Sequence, residues 1–174
     1  MRRGLVIVFT GDGKGKTTAA LGTALRAWGH GMRVLIVQFI KSGRVETGEC
    51  LAAARLGERF VIKTLGEGFV FEGEDVERHR EAARRALETA REAVQSGEYD
   101  LVVLDEITHA LKHGLITEEA VLALLAAKSL AVHLVLTGRD APEAIVARAD
   151  LVTEMRAVKH HYQRGVPAQK GIEY

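Results

Sequence analysis

Between Thr10 and Thr18 the chain reads Thr-Gly-Asp-Gly-Lys-Gly-Lys-Thr-Thr. Glycines at this spacing let the backbone curl so that successive N–H groups converge on anionic oxygens. Lys16 supplies a cation for phosphate, and Thr17 a hydroxyl for a magnesium ion. An apolar run, Leu5–Phe9, precedes the loop, and Ala19–Leu25 follows it. Strand, glycine turn and helix start are the context a phosphate-binding loop requires, and the helix N-terminus adds partial positive charge. Thr10 stands where the common G-x-x-x-x-G-K-[ST] pattern begins with glycine, so the first bend is expected to differ. The dinucleotide fingerprint G-x-G-x-x-G fits worse, because its third glycine falls on Lys16. Gly11, Asp12, Gly13, Lys14, Gly15, Lys16, Thr17 and Thr18 are therefore the candidate triphosphate-binding residues. An ordinary glycine-rich turn is the alternative.

Tyr99–Glu106 is the second stretch with chemistry: an apolar strand, Leu101–Leu104, ending in Asp105 and Glu106. A carboxylate there would face the phosphate loop and hold the hydrated magnesium of a nucleotide. Two acids at a strand end also suit a helix N-cap and first turn. With the loop upstream the metal reading is taken, with either acid as the holder. Arg139, after the apolar run Ala131–Thr137, could bind phosphate oxygens bidentately or form a surface pair with Asp140 or Glu143. His109 and His113 fall on one face of a helix, but no H-E-x-x-H arrangement accompanies them, so zinc is not expected.

These residues need a scaffold that brings loops from distant strands to one edge. Nearly continuous apolar strands are expected at Leu5–Phe9, Arg33–Ile40, Arg59–Thr64, within Tyr99–Glu106, and at Ala131–Thr137 and Leu151–Met155. Helices are expected between them: Thr17 to Ala27 or Trp28, Glu49–Leu56, Asp75–Gln95, Ile107–Lys112, one capped by Thr117, and Pro142–Ala149. Unalternating strands between helices indicate a parallel sheet covered on both faces. The expected fold is α/β: a three-layer, P-loop NTPase-like (RecA-like), mostly parallel sheet with helices on both faces. Ligands of such sheets bind at the carboxyl ends of the strands. Residues 1–174 show no repeat or linker and are expected to form a single domain. The tail after Lys159 shows no clear periodic element.

Composition narrows the classes further. Lys and Arg number 24 against 23 Asp and Glu, so no basic field calls for nucleic acid. Aromatic residues at 5% leave little for a base-stacking platform. One cysteine, Cys50, excludes a disulfide framework. The sequence shows neither a signal-peptide pattern nor an apolar run near the ~20 residues a bilayer requires, so a soluble cytoplasmic protein without membrane partners is the expectation.

The motifs together resemble the P-loop ATP:corrinoid adenosyltransferases of the cobalamin pathway. The resemblance rests on Thr10–Ala20, Val37–Lys41, Gly66–Phe69, Leu104–Thr108 and Leu136–Arg139, and on the tail: Lys159-His160, Gly165, Ala168-Gln169 and Gly171–Glu173. These occur in the family's order along nearly the whole chain. The resemblance implies transfer of the 5′-deoxyadenosyl group of ATP to cobalt(I) of a corrinoid, with triphosphate leaving. It implies a nucleotide lying reversed in the loop, a magnesium ion, an electron-donating flavoprotein or other reductase, and a homodimer. It assigns catalytic roles to Lys16, Phe69 and Phe71, the two aromatics keeping an axial ligand off cobalt, and places Arg26 near the nucleotide. Relatives often carry Trp at the second aromatic position and Tyr at His109. Many also begin with a segment covering the corrinoid; here a different access, or cover by a dimer partner, is expected. Two other readings stay open: a P-loop kinase or phosphohydrolase acting at the γ-phosphate, and a non-catalytic ATP-binding switch.

Overall fold

The computed structural model describes residues 3–44, 46–70 and 76–174. Its strands are β1 (Val6–Thr10), β2 (Val34–Gln38), β3 (Phe60–Thr64), β4 (Leu101–Asp105), β5 (His133–Thr137) and β6 (Leu151–Glu154). They form one sheet in the order β3-β2-β4-β5-β1-β6, and every neighbouring pair is parallel. Parallel pairing needs a crossover after each strand, and helices supply it. These are α1 (Lys16–Gly29), α2 (Gly48–Leu56), α3 (Val76–Ser96), α4 (Ile107–Lys112), α5 (Glu118–Ala127) and α6 (Glu143–Val146).

The unalternating strands follow from burial on both faces. Val6, Val8, Leu35, Val37, Val102, Leu104, Leu134 and Leu136 enter one core with residues of α3, α4, α5 and α6. The intervening residues Ile7, Val34, Ile36, Leu101, Val103 and Val135 point the other way, against α1 and α2. A side-chain period of two thus divides each apolar run between two cores. The α/β three-layer expectation holds, and the sheet is wholly parallel among the described residues.

Helix packing shows why small residues recur. Ala20, Ala24 and Ala27 turn one buried stripe of α1 toward the sheet, and Ala82, Ala83, Ala86, Ala90 and Ala93 do so for α3. Alanine combines high helix propensity with close approach to the sheet. The other face of α3 carries exposed pairs such as Arg80–Glu77 at 3.3 Å and Arg85–Glu81 at 3.3 Å, the solvated face its charge pattern predicts. Thr117 caps α5 by accepting from Ala120 N at 3.2 Å.

A strand boundary and a tail element differ from the sequence expectation. Phe39 and Ile40 read as strand because they are apolar, and both are buried, yet β2 ends at Gln38. Beyond it the chain bends, with Leu65 N donating to Gln38 O at 3.1 Å and Gly68 N to Ile40 O at 2.7 Å. Burial persists where pairing stops. In the tail, His161–Arg164 forms one 3-10 turn that no periodicity marked.

Candidate active site

The phosphate loop runs from the end of β1 into α1. Gly11 and Gly15 adopt φ of 94° and 116°, conformations that exclude most side chains. Gly13 is held for a different reason: its N–H donates to Met155 O at 2.6 Å, and an added Cβ would lie 2.7 Å from that carbonyl. The loop therefore rests on the chain just after β6. Thr10 has its own task, since its hydroxyl accepts from Ala141 N at 3.1 Å and ties β1 to the segment after β5. That contact accounts for threonine at a position where the common motif has glycine.

Lys16 is buried, and its ammonium donates to the carbonyls of Gly11 at 2.7 Å and Gly13 at 2.8 Å. Burial lowers its pKa; Glu106 opposes that shift and Arg139 adds to it. Thr17 Oγ1 donates to Asp105 Oδ1 at 2.8 Å, and Thr137 Oγ1 donates to the same oxygen at 2.8 Å. The other carboxylate oxygen, Asp105 Oδ2, is buried with no hydrogen-bond partner among the described residues. Strand β5 lies between β1 and β4, so Thr137 bridges the phosphate-loop strand and the acid strand.

Glu106 follows at φ 61°, a left-handed conformation unusual for a side-chain-bearing residue, with its N–H bonded to Thr137 Oγ1 at 2.9 Å. The bend leaves Asp105 under the loop and brings Glu106 to the cleft wall. Burial, then the charge of Asp105, pushes the Glu106 carboxyl above its ordinary range, while Lys16 and Arg139 pull it back.

These groups open onto a cleft of about 470 Å3, within the size range of small-ligand sites. Asp12, Gly13, Lys14, Gly15, Lys16, Thr17, Thr18, Glu106 and Arg139 line it together. Gly11 shapes the bend without lining the cleft. Arg139 approaches Asp12 at 4.0 Å, while Asp140 is taken by Lys112 at 2.7 Å. The structure does not bring Arg26 to this wall: its side chain is exposed near the end of α1, where its carbonyl accepts from His30 N at 3.3 Å. Ten residues of helix separate it from Lys16, about 15 Å of rise.

Phe69 stands at the same sheet edge, in the loop after β3, and is 60% exposed. A core role for it is therefore ruled out. Its ring meets that of His109 edge-on, with centroids 5.6 Å apart, and His109 meets His113 at 4.3 Å. Burial, then His113 and Lys112, holds the His109 pKa down. Phe71 lies outside the described residues.

Sequence reasoning gave part of the wall no role in the site. Lys41 and Glu49 line it as a bonded pair, with Gln38 Nε2 donating to Glu49 at 3.3 Å and Thr64 Oγ1 to Gln38 at 2.8 Å. Burial raises the Glu49 pKa, but the bond from Lys41 and its charge outweigh this and leave it below the usual range. The tail forms the remaining wall: His160 and Gly171–Tyr174 line the cleft, and Glu173 pairs with Lys14 at 3.2 Å. The polar turn Lys41–Arg44 is a visible signal for the first group, and His160 and Gly171–Glu173 of the second are marked by the family resemblance alone.

A parallel sheet with a phosphate loop after one strand, an acid on another and a third strand between them defines a P-loop nucleotide-binding protein of RecA-like fold. The crystal structure of the RadB recombinase shares that fold, with a TM-score of 0.52 and 20% identity over 89% of this chain and 76% of that one. Residues 2–174 match the family described as ATP:corrinoid adenosyltransferase BtuR/CobO/CobP. A corrinoid adenosyltransferase of Pseudomonas aeruginosa is 43% identical over 172 residues, 99% of this chain and 84% of that protein. The corrinoid adenosyltransferase CobA of Salmonella typhimurium is 40% identical over 99% of this chain and 86% of its own length. The chain belongs to the ATP:corrinoid adenosyltransferases.

Proposed function

We propose that this chain joins carbon 5′ of ATP to the cobalt(I) of a corrinoid, in adenosylcobalamin biosynthesis or salvage. The cobalt(I) electron pair forms the cobalt–carbon bond, and the electrons of the C5′–O bond leave with the triphosphate. Cobalt(I) is itself the nucleophile, so the protein needs no base to generate one. Its tasks are alignment of the attack and stabilisation of charge on the leaving group. The phosphate-loop N–H groups and Lys16 receive that charge, and Arg139 adds a cation from the opposite wall. Lys16, already directed into the loop, exchanges its two carbonyl partners for phosphate oxygens.

Thr17 and Asp105 would hold the magnesium ion, with Glu106 at the cleft wall beside them. The unpartnered, buried Oδ2 of Asp105 fits this assignment, since a carboxylate oxygen left unpaired in the interior is costly. When bound, magnesium neutralises triphosphate oxygens.

The observation that carries the reading is the exposed Phe69 at the edge that also holds the phosphate loop. Attack at the γ-phosphate has no use for an exposed aromatic there, whereas a flat macrocycle does. Phe69, with Phe71, is assigned to displacing the axial ligand before reduction to cobalt(I). An electron-donating flavoprotein or other reductase is the expected partner, with no nucleic acid or membrane. We place the chain in the cytoplasm as a homodimer of single-domain subunits; no helix among the described residues is long and apolar enough to cross a membrane. Anaerobic incubation with magnesium, ATP and chemically reduced cobalamin should yield adenosylcobalamin and intact triphosphate by absorbance and phosphorus NMR. ADP and phosphate formed without corrinoid would reject the assignment.

A further inference from the structure

The tail brings together three metal-ligating side chains to which the proposed transfer assigns no chemical step. His160 and His161 stack with ring centroids 4.7 Å apart, and Glu173 returns to them from the end of the chain. One donor atom from each lies within 4.8 Å of the others, and all three residues are partly buried. His161 Nε2 is 3.5 Å from Glu173 Oε2, is shielded from solvent and makes no hydrogen bond among the described residues.

That separation is long for a charge-assisted hydrogen bond, which closes to about 2.7–2.9 Å. It matches two donors on one tetrahedral ion: bonds of about 2.0–2.2 Å place ligand atoms about 3.4 Å apart. We propose that His160, His161 and Glu173 form a three-ligand site for a borderline divalent transition ion such as Zn2+, which clasps the tail over the phosphate loop. Two imidazoles and one carboxylate suit such an ion, whereas magnesium selects oxygen donors. The site is separate from Thr17 and Asp105. Its fourth position faces the cleft, because His160 and Glu173 both line it.

Two existing contacts adjust on binding. Glu173 Oε1 pairs with Lys14 at 3.2 Å and can keep that partner, since Oε2 is the oxygen facing His161. His160 Nδ1 accepts from Tyr162 N at 3.3 Å. Ligation through the other ring nitrogen moves the proton to Nδ1, so this long contact is given up.

The test uses the full chain, freed of metal by a chelator and titrated with zinc chloride by calorimetry. Cobalt(II) chloride serves as a spectroscopic substitute that reports tetrahedral coordination by visible absorption. One ion per chain is expected, with protection of the tail from carboxypeptidase. His161→Ala and Glu173→Gln should each weaken binding at least tenfold and abolish the protection. His109→Ala, at the other histidine pair, should leave both unchanged. No uptake by the wild type, or uptake unaffected by both tail variants, would overturn the site. So would loss of uptake in His109→Ala alone. The outcome is independent of whether the chain transfers an adenosyl group.

Discussion

Phe69 gains little stability from its surroundings: it is 60% exposed, and its ring meets His109 edge-on. Phe69→Ala should therefore leave the melting temperature nearly unchanged. If its ring displaces an axial ligand, the variant loses more rate with cobalt(II) corrinoid plus reductant than with pre-reduced cobalt(I). Equal losses in the two assays would remove it from that role. Glu49 makes a pH-dependent contribution of known sign. Burial raises its pKa, but the bond from Lys41 and that residue's charge prevail, so the folded-state value lies below the ordinary 4.5. Its stabilising effect is present above the unfolded pKa and is lost as pH falls through the folded one. Glu49→Gln should melt below the wild type at neutral pH, with the gap closing in acid. A pH-independent gap in calorimetric melts would contradict the pairing.

Among the elements, the turn after β5 tolerates little change. Gly138 has φ 134°, and a Cβ there would lie 2.1 Å from Thr108 Oγ1, itself bonded to Arg139 O at 2.6 Å. Gly138→Ala must strain the turn and displace Thr108, so a loss of about 2 kcal/mol or more is expected in denaturant titration. Arg139 moves with it, and ATP affinity should fall as well. The cap of α5 gives a milder contrast: Thr117→Ala removes one acceptor at an exposed helix start and should cost about 1 kcal/mol without touching the site.

Across the whole molecule, the cleft is closed by residues far apart in the chain. Lys14 in the phosphate loop meets Glu173 in the tail, and both cores meet on the same central sheet. Tail residues 165–172 are exposed, so they contribute little to the core. Truncation after Arg164 should raise the KM for ATP several-fold, since one cleft wall is gone, and shift the melting temperature by only a few degrees. A fully inactive but folded truncation would give the tail a larger part than wall-building. Core truncation makes the opposite contrast: Leu136→Ala, fully buried on β5, should cost about 2–5 kcal/mol.

The layered fold, the phosphate loop and the acid strand were all readable along the chain, because each is written in neighbouring residues. Apolar runs split by glycine turns reveal buried strands, and Gly13 to Thr17 carry their own bend and charge. Folding supplied what no local pattern holds. It placed Phe69 in solvent rather than in the core, and left Arg26 beyond the cleft by a length of rigid helix. It neutralised Lys41 with Glu49, and joined Glu173 to Lys14. It also separated two adjacent acids: a left-handed bend at Glu106 sends Asp105 beneath the loop, to Thr17, and Glu106 to the wall. Such facts depend on where loops return in space, and contacts between distant residues form only when the cores pack.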